Sequence, residues 1–237
     1  MCKVNYTTKN IQYTTLSERG RRPVNEDTFR VSYIPEQNRW MGIVCDGMGG
    51  HAMGEMASET VITKITDYWE QHVAEQDGTD KVLKACKKAS IAIDEKSFQL
   101  HHCEMGTTMA MVSIEGNTVT IAHIGDSRCY LIRKDEDGKA QVVYQSQDHH
   151  KVGGVLISRC FFSYHPELAV PDVAQFEVKS GDRILICSDG LYSCVYPHIL
   201  VDRMMDDKSP EDKLDVFDFL CERSGDDNYT AILAKIY

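Results

Sequence analysis

The sequence predicts an α+β fold in which helices pack outside antiparallel sheets. Short apolar or β-branched runs follow one another like hairpins, with turn residues between them, and helical periodicity is confined to separate blocks. Strict strand–helix alternation, which a doubly wound parallel sheet requires, does not occur.

Residues 11–16, 29–34 and 39–45 read as strands, with a hairpin-like break at 35–38. Met53, Ala57, Val61, Ile65 and Trp69 then recur every four residues, and Met56 and Tyr68 widen the stripe, so a helix is expected. After a break at 78–80, Val82, Ala85, Cys86, Ala89 and Ile93 repeat the pattern, with Thr79 or Asp80 as its cap. Strands return at 108–114, 118–124, 128–133 and 140–145, then at 174–178 and 183–187. Ser209-Pro210-Glu211-Asp212 is a helix start: Ser caps, Pro takes the first helical position, and acids fill the first turn. Leu214, Phe217, Leu220 and Cys221 supply its buried face, and a last strand runs over 229–236. No internal repeat or linker-like stretch interrupts this order, so a single domain over 1–237 is expected.

Composition narrows the function classes. Against 26 Lys and Arg stand 36 Asp and Glu, a net charge of -10, which argues against a nucleic-acid partner. No stretch approaches the length of an apolar membrane span, and the first 20 residues lack the apolar core of a signal peptide. The nine cysteines are odd in number and form no C-x-x-C pair, which favours reduced thiols and a cytoplasmic location.

The chemistry is concentrated at strand ends. Residues 44–55, VCDGMGGHAMGE, leave an apolar strand through Asp46 into a glycine-rich stretch. Asp189-Gly190 ends the strand at 183–187, Gly125-Asp126-Ser127-Arg128 follows the strand at 118–124, and Asp226-Asp227-Asn228 leads into the last strand. Near the N-terminus, Arg21 and Arg22 precede Asn25-Glu26-Asp27. Taken singly, each fits an ordinary turn. Together they form a set of hard oxygen donors suited to Mg2+ or Mn2+, because clustered acids repel unless divalent cations neutralise them. An arginine beside such a set supplies a planar donor for phosphate. The residues alone therefore point to metal-assisted hydrolysis of a phosphate ester, with structural calcium binding as the other reading of the same acids.

Taken in order, RPVNED, VCDGMGGHAMGEMAS, MGTTMAMV, IAHIGDSRCYLI, GDRILICSDGLYS and GDDNYTAILA closely resemble the metal-dependent, type-2C serine/threonine protein phosphatases in their bacterial form. The resemblance covers about residue 11 to 236 and implies a four-layer α-β-β-α sandwich of two antiparallel sheets flanked by helices. It also implies two divalent cations, Mn2+ or Mg2+, bridged by Asp46, with the Gly47 carbonyl and Glu26 completing one shell and Asp189 and Asp227 serving the other. By the same resemblance Asp27 orients the attacking water, Arg22 binds the substrate phosphate, Asn228 supports the Asp227 loop, and Thr107 and Thr108 form the family's GTT segment. The implied substrates are phosphoproteins modified by a serine/threonine kinase, and a monomer is expected.

Three departures bear on function. Met48 stands where some members carry a histidine proposed as the acid for the leaving alcohol, which leaves that role unassigned; a structural role is expected for nearby His51. A third ion in bacterial relatives uses the equivalent of Asp126 and an acid four residues after that of Asp189. Ser193 stands there, so any third ion should be loosely held. The stretch around 148–172 looks like a shortened flap. His101-His102-Cys103 lacks further ligands at zinc spacing, and His149-His150 falls at the family's Asp-His dipeptide, near the expected cleft. Cys45 and Cys187 read as core residues, since neither is followed by a phosphate-cradling loop ending in Arg. A rival reading is a catalytically weak, phosphoprotein-binding regulatory module of the same fold.

Overall fold

The computed structural model describes residues 5–7, 10–48, 53–73, 77–151 and 156–237. His51, Ala52 and the glycine pair at 49–50 lie outside them. One sheet comprises β1 (Asn5–Thr7), β2 (Ile11–Glu18), β13 (Tyr229–Ile236), β12 (Arg183–Cys187), β8 (Arg128–Lys134) and β9 (Ala140–Gln145), in that spatial order. The other has the order β10 (Phe161–Phe162), β5 (Gly106–Thr107), β4 (Arg39–Met48), β6 (Met109–Glu115), β7 (Thr118–Ile124) and β11 (Asp172–Glu177), with β3 (Asp27–Ile34) also paired to β4. Every named pair is antiparallel.

Side-chain alternation along the central strands builds three cores and hence four layers. On β4, Trp40 and Val44 face the opposing sheet, where they meet Ile184, Ile186 and Ile232. Met41, Ile43 and Cys45 face the other way, onto α1 (Met53–Gln71) and α2 (Gly78–Gln99) through Val61, Ile65, Ala89 and Ile93. On β12, Leu185 and Cys187 point outward to α3 (Asp189–Tyr192), α4 (Pro197–Met205) and α5 (Pro210–Ser224), packing with Leu200, Met204 and Phe217. This is the expected α-β-β-α sandwich.

Several local expectations change. Asp77, not Thr79 or Asp80, caps α2, because its carboxylate accepts the Thr79 N–H at 2.8 Å. β11 begins two residues earlier than expected, at Asp172 opposite His123. β4 does not stop at Cys45 but continues through Asp46 to Met48 by exchanging partners: residues 39–44 pair with β6, and Gly47 and Met48 pair with β5. The α4 helix lay outside the sequence expectation. Within 148–172 the described residues hold β10, the first residue of β11 and a single 3-10 turn, Pro166–Leu168.

One charged cluster fastens both long helices, α1 and α2, to their sheet. Glu115, at the end of β6, accepts from Arg39 Nε at 2.9 Å, Lys81 Nζ at 2.7 Å and Trp69 Nε1 at 2.9 Å. Arg39 also stacks on Trp69, 4.0 Å from its ring centre, so one carboxylate joins α1, α2, β4 and β6. Both cations are almost fully buried. Glu115→Ala should therefore lower the free energy of unfolding by about 3–5 kcal/mol, the usual consequence of leaving buried charge unpaired. Urea denaturation measures this, and a loss below about 1 kcal/mol, as for a surface pair, would contradict it.

Candidate active site

The site lies where β3 and β4 of one sheet meet the ends of β12 and β13 of the other. In the β3–β4 register Asp27 sits directly opposite Asp46, which places both carboxyls on one face of adjacent strands. Asp46 falls at the partner exchange on β4, and the two threonines hold its backbone there. Its N–H donates to Thr108 Oγ1 at 3.0 Å, while its carbonyl accepts from Thr107 Oγ1 at 2.8 Å and Thr108 N at 2.9 Å. The GTT segment thus fixes the strand from which Asp46 projects.

The glycines after Asp46 serve close approach. A Cβ on Gly47 would overlap the Gly54 carbonyl at the start of α1, and one on Gly54 would stand 2.6 Å from Glu26 Oε1. Backbone meets backbone here, and Glu26 is tied in on both sides: its carbonyl accepts the Gly47 N–H, and Oε1 accepts the Gly54 N–H, each at 3.2 Å. Glu26 and the Gly47 backbone are thereby brought together.

From the opposite sheet, Ser188 at the end of β12 donates its hydroxyl to Asp27 Oδ2 at 2.6 Å and accepts the Thr230 N–H of β13 at 3.0 Å. Ser188 is a site residue that sequence reasoning did not single out; its place before Asp189-Gly190 was the available signal. Asn228 joins the last two pieces. Its Oδ1 accepts the Glu26 N–H at 2.9 Å, and its Nδ2 donates to the carbonyls of Arg19 and Val24 at 2.8 and 2.9 Å. The loop carrying Arg22 and Glu26 is therefore indexed to the residue beside Asp227.

Burial and mutual repulsion set the protonation of these acids. Asp27 is pushed up to about 7, first by burial and then by the charges of Asp189 and Asp227, against the opposing effect of the Ser188 hydroxyl. Asp46 lies well above the carboxylate range through desolvation and then Asp27, Asp189, Asp126 and Asp227. Asp189 is raised by desolvation and by the charges of Asp126 and Asp227, against a smaller opposing effect of the Asp46 carboxyl. Asp27 Oδ1 is buried without a hydrogen-bond partner. An all-oxygen donor set, an unpartnered buried carboxylate oxygen and acids forced to hold protons together fit divalent cations.

The remaining expected residues lie around this centre. Arg22 is exposed at the rim, where Nη2 pairs with Asp227 Oδ2 at 2.7 Å and Nε donates to the Asp226 carbonyl. Asp126 lies close enough to raise both Asp46 and Asp189, and one oxygen stands 3.3 Å from His150 Nε2. Tyr192 Oη donates to the Asp126 carbonyl at 3.0 Å, with Arg128 stacked on the Tyr192 ring and paired to Asp148. His102 bonds the Tyr164 hydroxyl at 2.8 Å, away from the acids. The Cys45 and Cys187 thiols are buried and held far above their ordinary range by desolvation, as core thiols should be.

Among the described residues, His123, His149 and Asp172 are the one group whose donor atoms all lie within 4.8 Å of one another. Its hydrogen bonds argue against a metal. His149 Nδ1 accepts the Gly125 N–H, so the proton on Nε2 goes to Asp172, and the Arg159 guanidinium already supplies the cation, 2.7 Å from Asp172 Oδ1. Among the described residues, no three of the acids around Asp46 offer donor atoms that all lie within 4.8 Å of one another.

A carboxyl with a raised folded-state pKa favours folding fully below its unfolded value near 3.8, and that contribution is lost as pH rises through the folded value, about 7 for Asp27. With chelator present, Asp46→Asn should therefore melt higher than wild type at pH 8, by roughly 2–4 °C per kcal/mol of relieved repulsion. The difference should fade toward pH 4. Thermal unfolding across pH tests this, and a variant less stable than wild type at pH 8 would contradict the electrostatic account.

Comparison with known proteins gives a consistent result. Residues 17–236 match the family described as protein phosphatase 2C. Serine/threonine protein phosphatase PstP of Mycobacterium tuberculosis is 29% identical over 245 residues, which span 95% of this chain and 45% of that protein, so the chain corresponds to less than half of that relative. Serine/threonine phosphatase stp of Listeria monocytogenes is 30% identical over 244 residues, covering 92% of this chain and 93% of its own. The crystal structure of the PstP catalytic domain in complex with two manganese ions superposes with a TM-score of 0.80 at 29% identity, covering 96% of this chain and 98% of that one. The S. agalactiae serine/threonine phosphatase shares the fold at a TM-score of 0.82 and 24% identity, over 96% of this chain and 100% of that one. The sandwich, the ordered strand-end acids and the sequence match lead to one conclusion: this chain belongs to the protein phosphatase 2C family.

Proposed function

We propose that the chain hydrolyses phosphoserine and phosphothreonine on proteins with the aid of two divalent cations, Mn2+ or Mg2+. The observation that carries this reading is the convergence of Asp27, Asp126, Asp189 and Asp227 on Asp46 from separate strand ends, each adding to its charge burden. The relatives named as serine/threonine phosphatases, one of them with two manganese ions, support the same assignment. Asp46 would serve both ions, Glu26 and the Gly47 carbonyl one of them, and Asp189 and Asp227 the other. Such a pair of ions supplies charge neutralisation at the phosphoryl oxygens and acidifies water.

The chain's own groups do the rest. Asp27 offers its unpartnered Oδ1 as acceptor for the attacking water, while Ser188 fixes its other oxygen. Arg22, at the rim, turns from Asp227 to the substrate phosphate, a planar donor matched to tetrahedral oxygens. Met48 carries no proton for the leaving alcohol. Asp126, with Ser193 in place of a second acid and His150 beside it, holds any third ion weakly. On this reading the stretch 148–172 is a shortened flap, and the protein acts as a monomer in the cytoplasm against a serine/threonine kinase. No helix among the described residues is long and apolar enough to cross a membrane.

Phosphate release from phosphothreonine and phosphotyrosine peptides, with Mn2+, Mg2+ or EDTA, tests the proposal. Turnover should be metal-dependent and confined to phosphothreonine, and it should fall by about 100-fold or more in Asp46→Asn and Asp189→Asn. Bound ions without turnover in the wild type would favour the phosphoprotein-binding module instead. Asn228→Ala should weaken the apparent Mn2+ affinity or activity by about 10–100-fold, because it frees the Glu26 loop without removing a ligand. Unchanged metal dependence in that variant would show that the clamp does not position the site.

A further inference from the structure

We propose that a groove beside Met48 is a subsite for an apolar side chain of the substrate, two or three residues from the phosphorylated one. The inference rests on the phosphatase reading above and adds a selectivity to it. The groove holds about 450 Å³ and, among the described residues, is lined by Met48, Leu156, Ile157, Cys160, Phe162 and Leu168, with His165 beside them.

Its floor is a lateral continuation of the strand that carries Asp46. Met48 pairs with Gly106 of β5, and Gly106 pairs with Phe162 of β10, so the three lie in one row across the sheet. A Cβ on Gly106 would stand 2.6 Å from Phe162 Cδ2 and 3.3 Å from Met48 Cγ. The two side chains therefore close over the glycine and themselves form the floor of the trough. The far wall is held independently of any ligand. Ser163 N–H donates to the Met105 carbonyl at 3.0 Å, Met105 N–H donates to Ser163 Oγ at 3.2 Å, and Tyr164 N–H donates to Asp94 Oδ1 at 2.6 Å. Leu156 stands at the rim with 69% of its surface exposed.

Spacing matches the groove to a substrate chain. Met48 is two residues beyond Asp46, roughly 7 Å at strand rise, and Phe162 lies two strands across, roughly 10 Å at strand spacing. An extended peptide covers those distances in about two to three residues. A phosphoresidue bound over Asp46 thus brings a neighbouring side chain to this groove on the β5–β10 side. An apolar one would displace water from Met48, Leu156, Phe162 and Leu168, whereas for a charged one the described lining offers only His165, which already bonds Glu167 Oε1. Met48, which cannot act as an acid, finds its use here as an adaptable apolar wall.

The test is kcat/KM for phosphothreonine peptides carrying Leu, Ser or Lys at each position up to three residues either side of the phosphothreonine, with p-nitrophenyl phosphate in parallel. Wild type should prefer Leu over Ser by about tenfold at a position two or three residues away, the discrimination that an apolar pocket gives. Leu156→Ser should reduce that ratio to about twofold, and Leu156→Asp should shift preference toward Lys at the same position. Turnover of p-nitrophenyl phosphate with no flank preference, or a Leu preference unchanged in both variants, overturns the groove assignment while leaving the phosphatase reading intact. No turnover of any substrate overturns the phosphatase reading and this inference with it. A dimer that Leu156→Asp splits, with no flank preference, would assign the groove to a second copy of the chain and equally overturn the proposal.

Discussion

The carboxyl of Asp46 shares its surroundings with those of Asp27, Asp126, Asp189 and Asp227, and the scaffold has to hold that crowding of like charge in place. Left to repulsion alone, acids on loops would swing apart into water. Here each is anchored by backbone at a strand end. Asp27 is held by register opposite Asp46, Asp46 by two buried threonines, Asp189 by the first turn after β12, and Asp227 by its junction with Asn228 and β13. The site thus holds like charge on rigid elements, and burial together with that crowding keeps the Asp27, Asp46 and Asp189 carboxyls above their ordinary range.

The four-layer architecture makes such crowding possible. Two sheets packed face to face bring strand ends of different sequence origin to one rim, and the β4 partner exchange opens room for Asp46 and Gly47 between them. Ser188 and Asn228 then cross from one sheet to the other, so neither half of the acid set can drift alone. Elsewhere the same chain uses charge oppositely. At Glu115 one carboxylate satisfies two buried cations and an indole, and the result fastens the helical layer instead of straining it.

Much of this was legible in the sequence, for reasons that differ by residue. Strand and helix periods are local, so the central strands and the long helices could be read from spacing, and Asp-Gly beside apolar runs marked Asp46 and Asp189. What could not be read was mostly what depends on distant partners. Nothing near Asp46 says that β4 exchanges β6 for β5, and nothing near Ser188 says that Asp27 lies opposite. The cap of α2 went to Asp77 because a carboxylate two residues before Thr79 reaches its N–H, a choice that helical periodicity does not decide. In α4, Leu200, Met204 and Met205 bury against a sheet face whose position only the fold defines. Arg22 was read as a phosphate donor; its pairing with Asp227 across about 200 residues of chain was invisible.

The central claim is that the acids around Asp46 are crowded enough to retain protons which divalent cations would displace. The most direct measurement is calorimetric titration of the chain with Mn2+ near pH 7 in buffers of different ionisation enthalpy, which counts ions bound and protons released together. Two ions bound with net proton release, both lost in Asp46→Asn, are the predicted result. Binding without proton release, or binding that Asp46→Asn leaves unchanged, would contradict it.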